Sequence, residues 1–154
     1  MRKVIYTSIF GDDYHLHEPS LPLDGYDFLC FTDNPKYQSN TWKAVIIPKM
    51  YDGTRDSKKP KILPHRYLKD YDISIWVDGD IKVIANPDEL IESHLHQSNH
   101  AVFNHEMCGI STGNLNQRTC VYDEAAFIKW LGDNNPKKEY KDNIDTIFSQ
   151  VQRY

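Results

Sequence analysis

The chain predicts an α/β fold, a mostly parallel sheet flanked by helices in one domain spanning residues 1–154. Three observations carry that prediction. Short apolar segments alternate with segments of helical spacing, and no internal repeat or linker interrupts them. The run Ile73-Ser74-Ile75-Trp76-Val77, rich in β-branched and aromatic residues, lacks the alternation of a half-solvated strand. It therefore reads as a central strand of a parallel sheet, buried on both faces. That run ends abruptly in Asp78-Gly79-Asp80, two carboxylates where open α/β sheets bind their ligands, beyond the carboxyl ends of the strands.

Taken in order, Val4 to Ile9 forms the first strand, closed by the turn cluster Phe10-Gly11-Asp12-Asp13. A polar, proline-containing loop continues through Pro22. Tyr26 to Thr32 is the second strand, stopped by Asp33-Asn34-Pro35, and Trp42 to Ile47 the third, stopped by Pro48. Asp52 to Lys61 is a basic, polar connection. Ile62, Leu63, Tyr67 and Leu68 fall at helical spacing, and Pro60 and Pro64 confine the regular part of that helix to about Pro64 onward. After the acidic strand end, Ile81 to Ala85 suggests a short strand. Pro87-Asp88-Glu89 opens a helix that runs to about His96, with acids in its first turn. Ala101 to Phe103 suggests a further strand, and Met107 to Gln117 a loop. Val121, Ala125, Ile128 and Leu131 line one helix, closed by Gly132. Ile144, Ile147, Phe148 and Val151 line a last amphipathic helix after Asn134-Asn135-Pro136.

Bulk properties narrow the function. The chain has 154 residues and a formal charge of −4, the opposite of the basic surplus of a general nucleic-acid binder. With 40% apolar residues it has material for a core. No apolar run reaches the length of a membrane span, and Met1-Arg2-Lys3 followed by Val4-Ile5-Tyr6 is too short for a secretory signal. Cys30, Cys108 and Cys120 lack motif spacing, so reduced thiols in a cytoplasmic protein are expected.

The acidic pair has two readings. Residues i and i+2 of an extended segment point the same way, so Asp78 and Asp80 could converge on Mn²⁺ or Mg²⁺, the hard cations that carboxylates prefer. Gly79 would then let a diphosphate come close. Equally, Asp-Gly between apolar segments signals a tight turn, and a turn can also present both acids. Haloacid-dehalogenase-like phosphatases use a related string in which the first Asp attacks phosphorus. Here Lys82 stands where Thr or Val would follow, and the motif lies mid-chain.

Longer strings resemble one family. Lys61-Ile62-Leu63-Pro64-His65, Tyr67-Leu68, and Tyr71-Asp72-Ile73-Ser74-Ile75-Trp76-Val77-Asp78-Gly79-Asp80-Ile81 closely resemble the glycosyltransferase-like domain of the plant TOD/MUCI type, found also in bacteria. The segments Tyr6 to Gly11 and Phe28 to Asp33 resemble that family's first two strands, and Arg118 with Cys120 to Ala125 resembles its later Arg-x-Cys-x-Tyr-x-Glu-Ala element. The resemblance implies a GT-A-like fold with a Rossmann-type sheet and an Asp-x-Asp metal motif. It implies that Thr7, Ser8 and Asp33 hold nucleoside and that Arg55, Lys58 and Lys61 lie near the diphosphate. Family members often carry Asn or another residue at the position of Asp80. In related GT-A enzymes a third metal ligand, often His, comes from beyond where this chain stops. A truncated chain, a minimal version of the domain, or His105 as that ligand is expected on this ground.

Each residue also has a plainer reading. Arg55, Lys58 and Lys61 could form a solvated basic face, Asp33 a turn, and Trp76 a core side chain. Asp123 or Glu124 could be the general base of an inverting enzyme, or both could lie on a solvated helix face. The leading expectation is a metal-dependent glycosyltransferase moving sugar from a nucleoside-diphosphate sugar to a glycan, lipid or protein acceptor. The alternatives are a non-catalytic nucleotide-sugar or glycan-binding module and a phosphatase.

Overall fold

A computed structural model describes residues 1–11, 15–96 and 98–102. The chain divides into two compact units, Met1–Glu89 and Leu90–Tyr154. In the first unit four strands form one sheet: β1 (Lys3–Ser8), β2 (Tyr26–Thr32), β3 (Lys43–Ile46) and β4 (Ile73–Trp76). All three pairings are parallel and the strand order is β3-β2-β1-β4. Because every strand runs the same way, all four carboxyl ends lie along one edge. The chain first steps outward from β1 to β2 to β3, then returns to add β4 on the other side of β1. That reversal makes the β1/β4 junction the topological switch point, where α/β sheets open a crevice for ligands.

The α/β class and the parallel sheet are as expected, but the place of β4 is not. Val4 through Ser8 of β1 are all buried, whereas β4 is half-buried with Ser74 exposed and pairs with β1 at the border of the sheet among the described residues. Its side chains alternate, Ile73 and Ile75 on one face and Ser74 and Trp76 on the other, where the core lies. Trp76 packs edge-on to Tyr6 at 5.3 Å between ring centroids. Tyr6 in turn contacts Phe31, and Phe31 contacts Tyr67. Val4, Tyr6, Leu29, Phe31 and Leu68 form that core. Ser74 shares the face of Trp76, beside Val4, yet is exposed, so the apolar run did not mean that either face of β4 is fully covered.

The segment read as a basic connection is a helix, α1 (Gly53–Ile62). Asp52 caps it, its side chain accepting the Arg55 backbone N–H at 2.9 Å. Pro60 lies inside, where its missing N–H forfeits one backbone bond. The helix nevertheless continues, because the Leu63 N–H donates to the Lys59 carbonyl at 2.9 Å and Pro60 is fully buried. A single further turn, α2 (Pro64–Tyr67), begins with proline at its start. Together α1 and α2 form the β3-to-β4 crossover.

Ile81 to Ala85 forms no strand; the Ser20 N–H donates to its Val83 carbonyl at 2.9 Å. Helix α3 (Asp88–His94) begins as expected. The Asp88 carboxylate accepts from Lys3 Nζ at 2.6 Å and from the Tyr26 hydroxyl, fastening the helix start to the amino ends of β1 and β2. In the second unit, Ala101 and Val102 are not in a strand. His105, the loop from Met107 to Gln117, Cys108, Cys120, Asp123, Glu124 and both C-terminal helices lie outside the described residues. Among the described residues, no helix is long and apolar enough to cross a membrane.

Candidate functional site

The carboxyl edge of the sheet assembles the site. After β1, the chain turns at Gly11, whose φ of +101° is a conformation that other residues rarely adopt. The Gly11 N–H donates to Asp33 Oδ1 at 2.9 Å, so Asp33 at the end of β2 fixes the turn after β1. The Thr7 and Ser8 hydroxyls are buried at the end of β1, without a hydrogen-bond partner among the described residues. Helix α1 starts over this edge: a Cβ added to Gly53 would meet the Phe10 Cβ at 3.4 Å.

Asp78 lies two residues beyond β4, and two donors converge on its Oδ1. The Trp76 indole N–H donates at 2.9 Å and the Lys61 ammonium at 3.0 Å. Lys61 also lies 5.1 Å from the centre of the Trp76 ring. Partial burial alone would raise the Asp78 pKa. The Trp76 N–H, the Lys61 ammonium and the Lys58 charge outweigh it and leave the pKa below the usual carboxylate value. Asp78 is therefore ionised at neutral pH, and its orientation is set by an indole wedged against Tyr6.

Asp80 has a different setting. Residues 78–81 form a turn in which the Ile81 N–H donates to the Asp78 carbonyl at 2.9 Å, and Asp80 is exposed. The extended geometry expected to align the two carboxylates is absent here, because the chain turns directly after β4. Gly79 has a packing reason: an added Cβ would stand 3.1 Å from Ile9 Cγ2 and 3.6 Å from Leu16 Cδ2. Gly79→Ala is expected to cost about 1 kcal/mol, as Ile9 shifts to make room; a denaturant midpoint equal to wild type would show the turn packs more loosely.

Of the three basic residues expected near the diphosphate, Lys61 touches Asp78 and Lys58 is near enough for its charge to act there. Arg55 pairs with Asp52 at 3.4 Å, one turn away on its own helix. The structure thus brings Lys58, Lys61 and Asp78 together, with Asp33, Thr7 and Ser8 along the same edge. Two participants were missed from sequence: Trp76 as a hydrogen-bond donor and Asp52 as a helix cap. An indole two residues before an acid at a strand end is a usable sign of the first, and Asp-x-x-Arg before a polar helix of the second.

No group of three or more His, Cys, Asp or Glu side chains gathers around a metal position among the described residues. Asp78 Oδ1 nevertheless already holds a cation, the Lys61 ammonium. Asp78 and Asp80, two exposed carboxylates of one turn, are hard oxygen ligands of the kind that Mg²⁺ or Mn²⁺ take, completing their shells with water and phosphate oxygens. A separate open cavity of about 610 Å³, lined by Glu18, Tyr37 and Ser39 among others, lies at the start of β3. There Glu18 fastens a loop, accepting from Ser39 and from the Asn40 N–H.

The sequence model of the TOD1/MUCI70, glycosyltransferase-like domain matches residues 29–154. The probable hexosyltransferase MUCI70 of Arabidopsis thaliana is 32% identical over 60 residues, 38% of this chain. The matched stretch is 10% of that protein's own length. No solved structure matches.

Proposed function

This chain belongs to the TOD1/MUCI70 glycosyltransferase-like domain family, and from that premise we propose that it transfers a hexosyl group from a nucleoside-diphosphate sugar to a glycan, lipid or protein acceptor. The observation that carries the reading is the Asp78 carboxylate at the switch point of the sheet, ionised and flanked by Lys58 and Lys61. Such a place collects an acidic group, two ammonium groups and the buried hydroxyls of Thr7 and Ser8, the chemistry that a sugar nucleotide presents in complement. The fold in this reading is GT-A-like, with Asp78-Gly79-Asp80 as the Asp-x-Asp motif. The buried, free Cys30 fits the reducing cytoplasm proposed as its compartment.

In the reaction, the bond between the anomeric carbon and the diphosphate oxygen breaks, and the electron pair leaves with the diphosphate. An acceptor hydroxyl forms the new bond to that carbon and gives up its proton. Asp78 and Asp80 would hold Mn²⁺ or Mg²⁺, which when bound supplies Lewis-acid neutralisation of the departing phosphate. Lys58 and Lys61 bind the diphosphate by charge. Asp33 keeps the turn after β1 in place beside the nucleoside. His105 as a further ligand and Asp123 or Glu124 as general base complete the reading.

A thermal-shift screen of nucleoside diphosphates and their sugars, with and without manganese, followed by turnover of whichever sugar nucleotide stabilises the chain, tests this. The expected result is manganese-dependent stabilisation with release of nucleoside diphosphate. Stabilisation without turnover would favour a binding module, and release of phosphate from simple monoesters would favour a phosphatase.

A further inference from the structure

Lys61 and Asp78 belong to different parts of the proposed donor site, the lysine to the diphosphate and the aspartate to the metal, yet in this structure they hold each other at 3.0 Å. We infer that Lys61 is the resident counter-cation of Asp78, and that metal and diphosphate enter by one exchange in which Lys61 passes from the carboxylate to a phosphate oxygen. The inference rests on Asp78 being the metal ligand.

Three features support the exchange. The ammonium and the indole N–H share one oxygen, Asp78 Oδ1. That oxygen already accepts two hydrogen bonds, so a divalent ion held there would compete with the ammonium for the same lone pairs and would be repelled by its charge. The two donors also differ in freedom. The Trp76 ring is fixed against Tyr6 in the sheet, while Lys61 is 39% exposed in the last turn of α1, on a flexible stem. Lys61 is the partner that can leave, and Trp76 holds the carboxylate in place as it goes. Finally, Lys58 adds a second positive charge near Asp78. This field opposes a bare metal ion and favours one that arrives with phosphate. Coupling of this kind is reciprocal, so the metal should assist the diphosphate as much as the reverse.

The test uses the full chain with Mn²⁺ alone, followed by electron paramagnetic resonance of the free ion, and with inorganic pyrophosphate in excess manganese, followed by calorimetry. Lys61→Met should bind Mn²⁺ alone about threefold to fivefold more tightly, the range an exposed ion pair allows, and bind pyrophosphate more weakly by at least a similar factor. Lys58→Met, which removes the same charge without the contact, should tighten Mn²⁺ less. Lys61→Arg should stay near wild type for both. Damage to the fold would weaken both ligands, so opposite signs from one substitution identify the exchange. Unchanged or weaker Mn²⁺ binding in Lys61→Met, with Asp78→Ala abolishing it, would overturn the exchange and leave Asp78 as the ligand. Equal tightening by Lys58→Met would also overturn it, reducing Lys61 to a general field. Equal Mn²⁺ binding by Asp78→Ala and wild type would remove the metal reading itself.

Discussion

Replacing Asp78 by alanine should lower manganese-dependent transfer from sugar nucleotides by about two to three orders of magnitude, the scale on which aimed charge acts in an active site. The fold should survive. Asp78 is 56% exposed and its partner Lys61 is 39% exposed, and an exposed pair contributes only about 0.2–1 kcal/mol. The thermal midpoint should therefore move by a few degrees at most. Asp78→Asn is the sharper variant. It preserves the shape and an acceptor for the Trp76 N–H, but removes the charge, so a loss close to that of alanine assigns the effect to the negative charge. Asp80→Ala should cost less, because that side chain is exposed in a turn and has no indole to orient it. Full activity in Asp78→Ala, measured by nucleoside diphosphate release, would end the proposed mechanism.

Asp56→Ala should produce the largest loss of stability, a fall in thermal midpoint on the order of 10 °C. The Asp56 side chain is 1% exposed, and one of its oxygens accepts the backbone N–H groups of both Met50 and Tyr51 at 2.8 Å. Its other oxygen meets Lys59 Nζ at 2.6 Å. Removing it strands two backbone donors at the point where the chain leaves β3 and enters α1, and so loosens the helix that carries Lys58 and Lys61. The Lys59 interaction chiefly, with help from the two N–H groups, lowers the Asp56 pKa from 3.8 to about 2 against the effect of burial. A depressed carboxylate stabilises the fold above its unfolded pKa and loses that contribution as the pH falls through its folded value. The stability gap between wild type and Asp56→Asn should be full at pH 7 and shrink between about pH 4 and pH 2. Denaturant unfolding at both ends of that range measures it. A gap that stays constant would mean the charge of Asp56 contributes nothing.

The strands were legible because each is a compact apolar run bounded by a turn signal: Tyr26–Thr32 stops at Asp33-Asn34-Pro35, and Lys43–Ile46 ends just before Pro48. Helix α1 was not legible, since its sequence GTRDSKKPKI has a polar surface and an internal proline. What makes it a helix is Asp52 capping one end and Asp56 buried beneath it, neither of which leaves an apolar periodicity. The place of β4 was misjudged for a related reason. Apolarity reports that a strand is covered, while the number of neighbours depends on where the crossover puts it.

The amino-acid sequence by itself determined the α/β class, the parallel strands and the acidic end of β4, because these follow from local apolar patterning and turn chemistry. The family resemblance, too, rests on residue strings and needs no coordinates. Only the tertiary structure decided that β1 and not β4 is the buried neighbour of two strands, that Asp78 and Asp80 lie in a turn, and that Lys61 and Trp76 meet on one carboxylate oxygen. Those facts depend on how α1 and α2 cross back over the sheet, bringing Lys61 to a residue 17 positions away. Contacts of that separation are set by packing and hydrogen bonding among whole elements, which no local pattern encodes.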